Sequence, residues 1–288
     1  MKLIQNDVLR QRSITGLIFA IVLIGLILSG KYGAMCLGVI ILSGGTYEYI
    51  RMIFPNDKNK MVFVTAFNIL FALTLILILP TYSNYYLYLL ILSCISFIIG
   101  IVNLYKGFIN HQKGYWLISV LYIGLPLGLF LNFIYNHANY SGFFWLAMFI
   151  MIWMSDSFAY LVGSKIGKRK LFEKISPKKS WEGFLGAGII TLPLAYFLGQ
   201  SIFSDHGQLY NLRADIFPNI GLFWVIIACL AWVVGTMGDL VESSVKRTFS
   251  VKDSGTLLPG HGGILDRFDS FIYLLPFVLL LLFFYTQH

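Results

Sequence analysis

Carboxylates, cations and glycines crowd one stretch of an otherwise apolar chain, from Ser243 to Asp269. It carries four cations (Lys246, Arg247, Lys252, Arg267), three carboxylates (Asp253, Asp266, Asp269), His261 and four glycines. Gly238-Asp239-Leu240-Val241-Glu242 stands just upstream. These are the groups a metal-bound, phosphate-bearing substrate requires: oxygen ligands for Mg²⁺, Lys and Arg for phosphate oxygens, glycine for close backbone approach. Asp239 and Glu242 are spaced i, i+3 with Ser243 next, so a continuing helix puts all three on one face. Asp266 and Asp269 repeat that spacing. The macrodipole alone accounts for one carboxylate in a first helical turn. Two such pairs facing one loop point to a metal site.

Gly260-His261-Gly262-Gly263 follows Pro259 and reads as a tight turn whose N–H groups form an anion nest. His261 either orients phosphate or holds the turn through a backbone hydrogen bond. Upstream, Ser176-Pro177-Lys178-Lys179 reads as a helix start, with Ser176 as N-cap and Pro177 as first helical residue. Lys178 and Lys179 then oppose the helix dipole, which makes sense if an anion binds there; anchoring on the membrane face is the plainer reading for some of these lysines. Asp156 lies inside an apolar run, with Lys165 and Lys168 as candidate partners. Gly163-Ser164-Lys165-Ile166-Gly167-Lys168 lacks Walker A spacing.

The elements that must position these residues are membrane helices. The 288 residues are 58% hydrophobic and only 12% charged, against about 25% charged in soluble domains. Mean hydropathy is +0.77. Nine apolar runs of membrane-spanning length are expected: 15–29, 33–53, 61–79, 85–105, 115–135, 143–162, 183–203, 219–241 and 268–285. The second is interrupted by Gly44, Gly45 and Glu48. With the N-terminus in the cytoplasm, 19 of the 21 cations fall on the cytoplasmic side, leaving Lys31 and Arg213 opposite. The +8 charge is therefore topological and does not indicate nucleic acid. Cys36, Cys94 and Cys229 lie in apolar runs without ligand spacing. Expected is an all-α, polytopic integral membrane protein. Residues 1–140 supply about five helices, and 141–288 form a catalytic region facing the cytoplasm. The excess of Ile, Asn, Lys, Phe and Tyr suggests an AT-rich bacterial genome, hence a bacterial plasma membrane.

Ser243-x-Val245-Lys246-Arg247, Lys252-Asp253 and His261-Gly262-Gly263-Ile264-x-Asp266-Arg267-Phe268-Asp269 resemble the signature of the phosphatidate cytidylyltransferase (CDP-diacylglycerol synthase) family. Ser176 to Gly183 and Asp156 to Tyr160 also look like the family's, and the resemblance covers about 150–275. It implies the reaction of CTP with phosphatidate to give CDP-diacylglycerol and pyrophosphate. It also implies Mg²⁺, a second, monovalent cation such as K⁺, and a homodimer in the bilayer. By the same resemblance Asp239 and Asp266 are metal ligands, with Glu242 and Asp269 in that shell. Lys179, Lys246, Arg247, Lys252 and Arg267 contact phosphates, and Ser176, Lys178, Ser243, His261, Gly262, Gly263 and Asp156 line the substrate site. Two rivals stand beside it: a CTP-dependent lipid-alcohol kinase of the dolichol or phytol type, and a cation-coupled transporter. A transporter predicts inverted repeats and midplane carboxylates, and this chain shows neither.

Overall fold

A computed structural model describes residues 2–81, 83–107, 109–137, 140–202, 219–257 and 262–286, with side chains in the first and last helices described between residues 14 and 284. Lipid offers the backbone no hydrogen bonds, so apolar runs of this length must close their own as helices. Among the described residues there are nine: α1 Lys2–Leu28, α2 Lys31–Ile53, α3 Lys58–Ile78, α4 Asn84–Lys106, α5 Tyr115–Asn136, α6 Gly142–Ile166, α7 Trp181–Ser201, α8 Ile220–Thr248 and α9 Leu265–Thr286. Eight are long and apolar enough to cross a membrane; α1 contributes a shorter apolar stretch, Ile14–Leu28. Side-chain caps set several starts. Asp57, Ser83, Ser141 and Asn219 each accept a first-turn N–H of the helix that follows. Gly107 ends α4 in the left-handed region at φ 59°.

α5 and α9 are buried over most of their length and form the interior, with α2, α3, α4, α6 and α8 around them and α7 packed on α6 and α8. The interior is aromatic: Phe271 of α9 stacks on Phe149 of α6 at 4.5 Å, and Phe130 of α5 meets Trp145 edge-on at 4.8 Å. Two helices contain one wide, π-type turn. In α5 it spans Val120–Gly124 and precedes Pro126, whose ring cannot fit a regular α turn. In α8 it spans Ala231–Gly235, and the Gly235 carbonyl accepts the Ser270 hydroxyl of α9 at 3.0 Å. That bond fixes α9 against α8 one residue past Asp269.

The helix ends sort onto two faces. On one, Lys31 reaches the Tyr135 carbonyl, and Tyr140 donates to the Ile27 carbonyl at 2.8 Å. On the other, Tyr105 at the end of α4 packs on Phe172 beyond α6, and His111 lies between Tyr49 of α2 and Phe249 beyond α8. The even-numbered connections thus gather around the loop between α8 and α9.

The segment before α7 corrects an expectation. Ser176–Ser180 is not the start of a helix; it is strand β2, antiparallel to β1, Lys170–Phe172, with Lys170 opposite Ser180. The cap of α7 is Ser180, whose Oγ accepts from Gly183 N at 3.1 Å. Both serines have capping chemistry, and strand pairing decides between them. The Glu182 carboxylate holds the hairpin's base by accepting the N–H groups of Lys168 and Arg169 at 3.0 and 3.1 Å. Lys178 and Lys179 are therefore strand residues, and the helix-dipole argument does not apply to them. The eighth and ninth helices also run further than the apolar runs alone, so Glu242, Ser243, Lys246 and Asp266 all sit on helices.

Candidate active site

α8 brings Asp239, Glu242 and Lys246 to one face at i, i+3 and i+7, and α9 sets Asp266 and Asp269 opposite. Carboxylate oxygens of Asp239, Glu242 and Asp269 lie within 4.8 Å of one another. Glu242 and Asp269 are buried, and Ser243 Oγ donates to Asp239 Oδ1 at 3.1 Å. An oxygen-only cluster of this spacing suits a hard divalent cation, which prefers one or two carboxylates and leaves other positions to water and phosphate. The residues fit Mg²⁺.

Two lysines neutralise the cluster. Lys179, on β2, lies 2.6 Å from Asp239 Oδ2. Burial alone would lower its ammonium, but the Asp239 and Asp156 carboxylates outweigh this and hold it above its usual range. Lys246 pairs with Glu242 on its own helix and with Asp266 Oδ1 across the gap at 2.6 Å.

Asp266 stands apart from the three clustered carboxylates. Its Oδ2 accepts the N–H groups of Ser254 and Gly263, both at 2.8 Å, while Oδ1 takes Lys246. It organises the loop as well as facing the site. Gly262 turns the chain there at φ 85°, and a Cβ on it would meet Asp266 Oδ2 at 2.6 Å. His261 lies outside the described residues.

A cavity of about 460 Å³ extends from these groups to residues of α1 and α6. Asp156, Asp239, Lys246, Asp266, Arg267 and Asp269 line its polar end. Gly16, Phe19 and Ala20 of α1 and Phe149, Ile152 and Trp153 of α6 line its apolar end. An amphiphile with a phosphate head matches that division. Asp156 lines the cavity; Lys165 and Lys168, its candidate partners, are exposed, and the cation facing it is Lys179. The hairpin, absent from the sequence reading, is what carries Lys179 back over α6.

The remaining candidates sit further out. Arg247 is exposed and ties the hairpin to α8, donating to the carbonyls of Ile175 at 3.3 Å and Val251 at 3.1 Å. Lys178, Lys252 and Asp253 are exposed, and Ser176 is half-buried on the hairpin. Sequence reasoning treated Glu48 only as an interruption of the second helix. It is in fact buried, and it holds the start of α9. The available signal was an ionisable residue inside an apolar helix, which needs a partner.

A prediction attaches to Lys179. Lys179→Gln is expected to lose about one to two decades in kcat/KM for CTP, the worth of one charge-assisted contact of roughly 1.5–3 kcal/mol. Because its folded value is raised, Lys179 stays charged below its unfolded value of about 10.4 and loses its proton only at higher pH. The loss should therefore be uniform from pH 6 to 9, as a pH–rate profile of the variant would show. Unchanged kinetics would make Lys179 an anchoring residue.

Comparison with known proteins identifies relatives along nearly the whole chain. Residues 10–285 match the cytidylyltransferase family. The chain is 34% identical over 280 residues to the phosphatidate cytidylyltransferase of Bacillus subtilis (strain 168), covering 95% of this chain and 97% of that one. It is 32% identical over 284 residues to the protein of that name from Staphylococcus aureus (strain COL), covering 95% and 99%. The Staphylococcus saprophyticus protein of that name is 34% identical over 281 residues.

Proposed function

The chain belongs to the cytidylyltransferase family, and from that membership we infer that it transfers the cytidylyl group of CTP to phosphatidate, giving CDP-diacylglycerol and pyrophosphate. The observation that carries this reading is the cavity whose polar end is built from Lys246, Arg267 and carboxylates, with Lys179 paired to Asp239 behind it, and whose other end is apolar. An oxygen of the lipid phosphate bonds to the α-phosphorus of CTP, and the bond from that phosphorus to the bridging oxygen breaks. Pyrophosphate leaves with the electron pair. The nucleophile is already an anion, so no general base or covalent Ser or Cys is required.

What the protein must supply is orientation and charge. Lys179 and Lys246 sit on carboxylates in the free protein, and each has a phosphate oxygen as its alternative partner. Arg267 at the cavity edge adds a planar cation for the lipid or leaving phosphate. Asp239, Glu242 and Asp269 would hold Mg²⁺, which would supply positive charge against the triphosphate. The apolar residues of α1 and α6 keep the diacylglycerol in a lipid-like surface while its headgroup reaches the charges.

CTP labelled at the α- or γ-phosphorus tests the reading directly. With purified protein and phosphatidate, the α label should enter the lipid and the γ label should appear in pyrophosphate. Transfer of the γ label to lipid would instead identify a kinase.

The protein is a multi-pass membrane protein. We place the N-terminus and the site on the cytoplasmic side, supported by the 19 cations on that face and by the need for cytosolic CTP. In a cysteine-free background, Lys58→Cys and Lys174→Cys should label only from inside, and a C-terminal tag should be reached only from outside. Labelling of position 174 from outside would overturn this orientation. A homodimer belongs to the same reading, and light scattering of the detergent-solubilised protein tests it.

A further inference from the structure

We propose that Glu48, on α2, is a positioning residue that sets the signature loop and the first turn of α9 in place for reaction; this rests on the cytidylyltransferase reading. Glu48 is buried, with 3% of its surface exposed. Its Oε1 accepts the N–H of Ile264 at 3.0 Å, and its Oε2 accepts that of Leu265 at 2.9 Å. Both N–H groups belong to the start of a helix, where no intrahelical carbonyl can reach them and an anion is favoured. Oε2 also lies 2.8 Å from Ser254 Oγ, which lies 3.0 Å from Asp266 Oδ2. The single Ser254 proton is thus shared between the two carboxylates, and Asp266 passes the link on to Lys246.

The loop is shaped around this carboxylate. A Cβ on Gly255 would lie 2.2 Å from Glu48 Oε1 and 2.6 Å from its Cδ, so only glycine admits the side chain there. Gly44, one turn earlier on α2, lets Ile264 pack on the helix. The two glycines and the glutamate that break the second apolar run form one seat for the start of α9. Glu48 belongs neither to the carboxylate cluster nor to the residues that line the cavity, and its link to them runs through Ser254, Asp266 and Lys246. Displacement of such a network by about 1 Å is enough to cost on the order of a hundredfold in rate.

The test uses full-length protein in detergent or vesicles. Glu48→Gln keeps volume and one acceptor but turns an amide NH₂ toward donors; Glu48→Ala removes both acceptors. We expect kcat per folded enzyme to fall about tenfold and about a hundredfold respectively, with KM for CTP within roughly threefold. Hydrogen exchange at Ser254, Gly263, Ile264 and Leu265 should quicken in both variants. Gly255→Ala should reproduce the kcat loss alone and add nothing to Glu48→Ala, since the clash and the carboxylate vanish together. If Glu48→Ala does not fold, Glu48→Gln and Gly255→Ala decide. Unchanged kcat per folded molecule, unchanged amide protection, or additive losses in the double variant would each overturn the assignment. Failure of the wild-type protein to make CDP-diacylglycerol would refute the functional reading, while amide exchange would still decide whether Glu48 holds the loop.

Discussion

Asp239→Asn should lose about a thousandfold in kcat/KM for CTP, roughly 4 kcal/mol of transition-state stabilisation, while the protein still inserts and folds. The substitution keeps the volume and the hydrogen bond from Ser243, and removes the charge that faces both Lys179 and the cluster with Glu242 and Asp269. Asp269→Asn should behave alike. Asp253→Asn, on the exposed part of the loop, should stay within about threefold of wild type. A second readout separates ligands from braces. Mg²⁺ bound only by the folded protein raises its melting temperature by mass action, and Asp239→Asn should abolish that rise. Asp266→Asn should lose more than a decade in kcat because Lys246, Ser254 and Gly263 lose their common partner. If it also abolishes the Mg²⁺-dependent rise, Asp266 is a ligand; if the rise survives, its part is to hold the loop. Retention of more than about a tenth of wild-type kcat by Asp239→Asn would rule out the site described here.

Lys246→Met has the larger effect on stability. Glu242 and Asp266 flank the ammonium, with side-chain exposures of 0% and 7%. Removing the cation leaves the buried Glu242 carboxylate without a counter-charge and takes one partner from Asp266, at a cost of about 3–5 kcal/mol and a fall of about 6–20 °C in melting temperature. Adding Glu242→Gln to Lys246→Met should restore part of that stability, because the neutral amide no longer needs a counter-charge. Activity should not return, since the phosphate contact stays missing. Thermal unfolding and turnover measured on the same preparations check both halves. A double variant that recovered activity together with stability would show that Lys246 serves only to neutralise Glu242.

The helices and the signature were legible because the bilayer and the chemistry each impose a local pattern. A span needs a continuous apolar run, and α3 and α4 show theirs without interruption. Asp239, Glu242 and Lys246 share a face by helical spacing alone. Which of Asp266 and Asp269 joins them was not legible. Both have the same spacing within α9, and the choice depends on how α9 is rotated against α8. That rotation is set by the Ser270 contact with Gly235 in a wide turn that carries no sequence mark. The hairpin was missed because Ser176-Pro177 has helix-start chemistry while its strand partner, Lys170–Phe172, has no apolar alternation to announce it. Glu48 was missed because its partners lie on the far side of the chain.

That last contact has a consequence for how the protein is made. Glu48 and Ile264 are 216 positions apart in the chain. At about 5–20 residues per second, translation takes roughly 10–40 s to pass from one to the other. Throughout that interval the Glu48 carboxylate of α2 lacks its native partners, because those amides have not been synthesised. Chains stalled before α9 therefore contain most of the membrane helices without the amides that Glu48 accepts. The ribosome supplies the partners of this early carboxylate last.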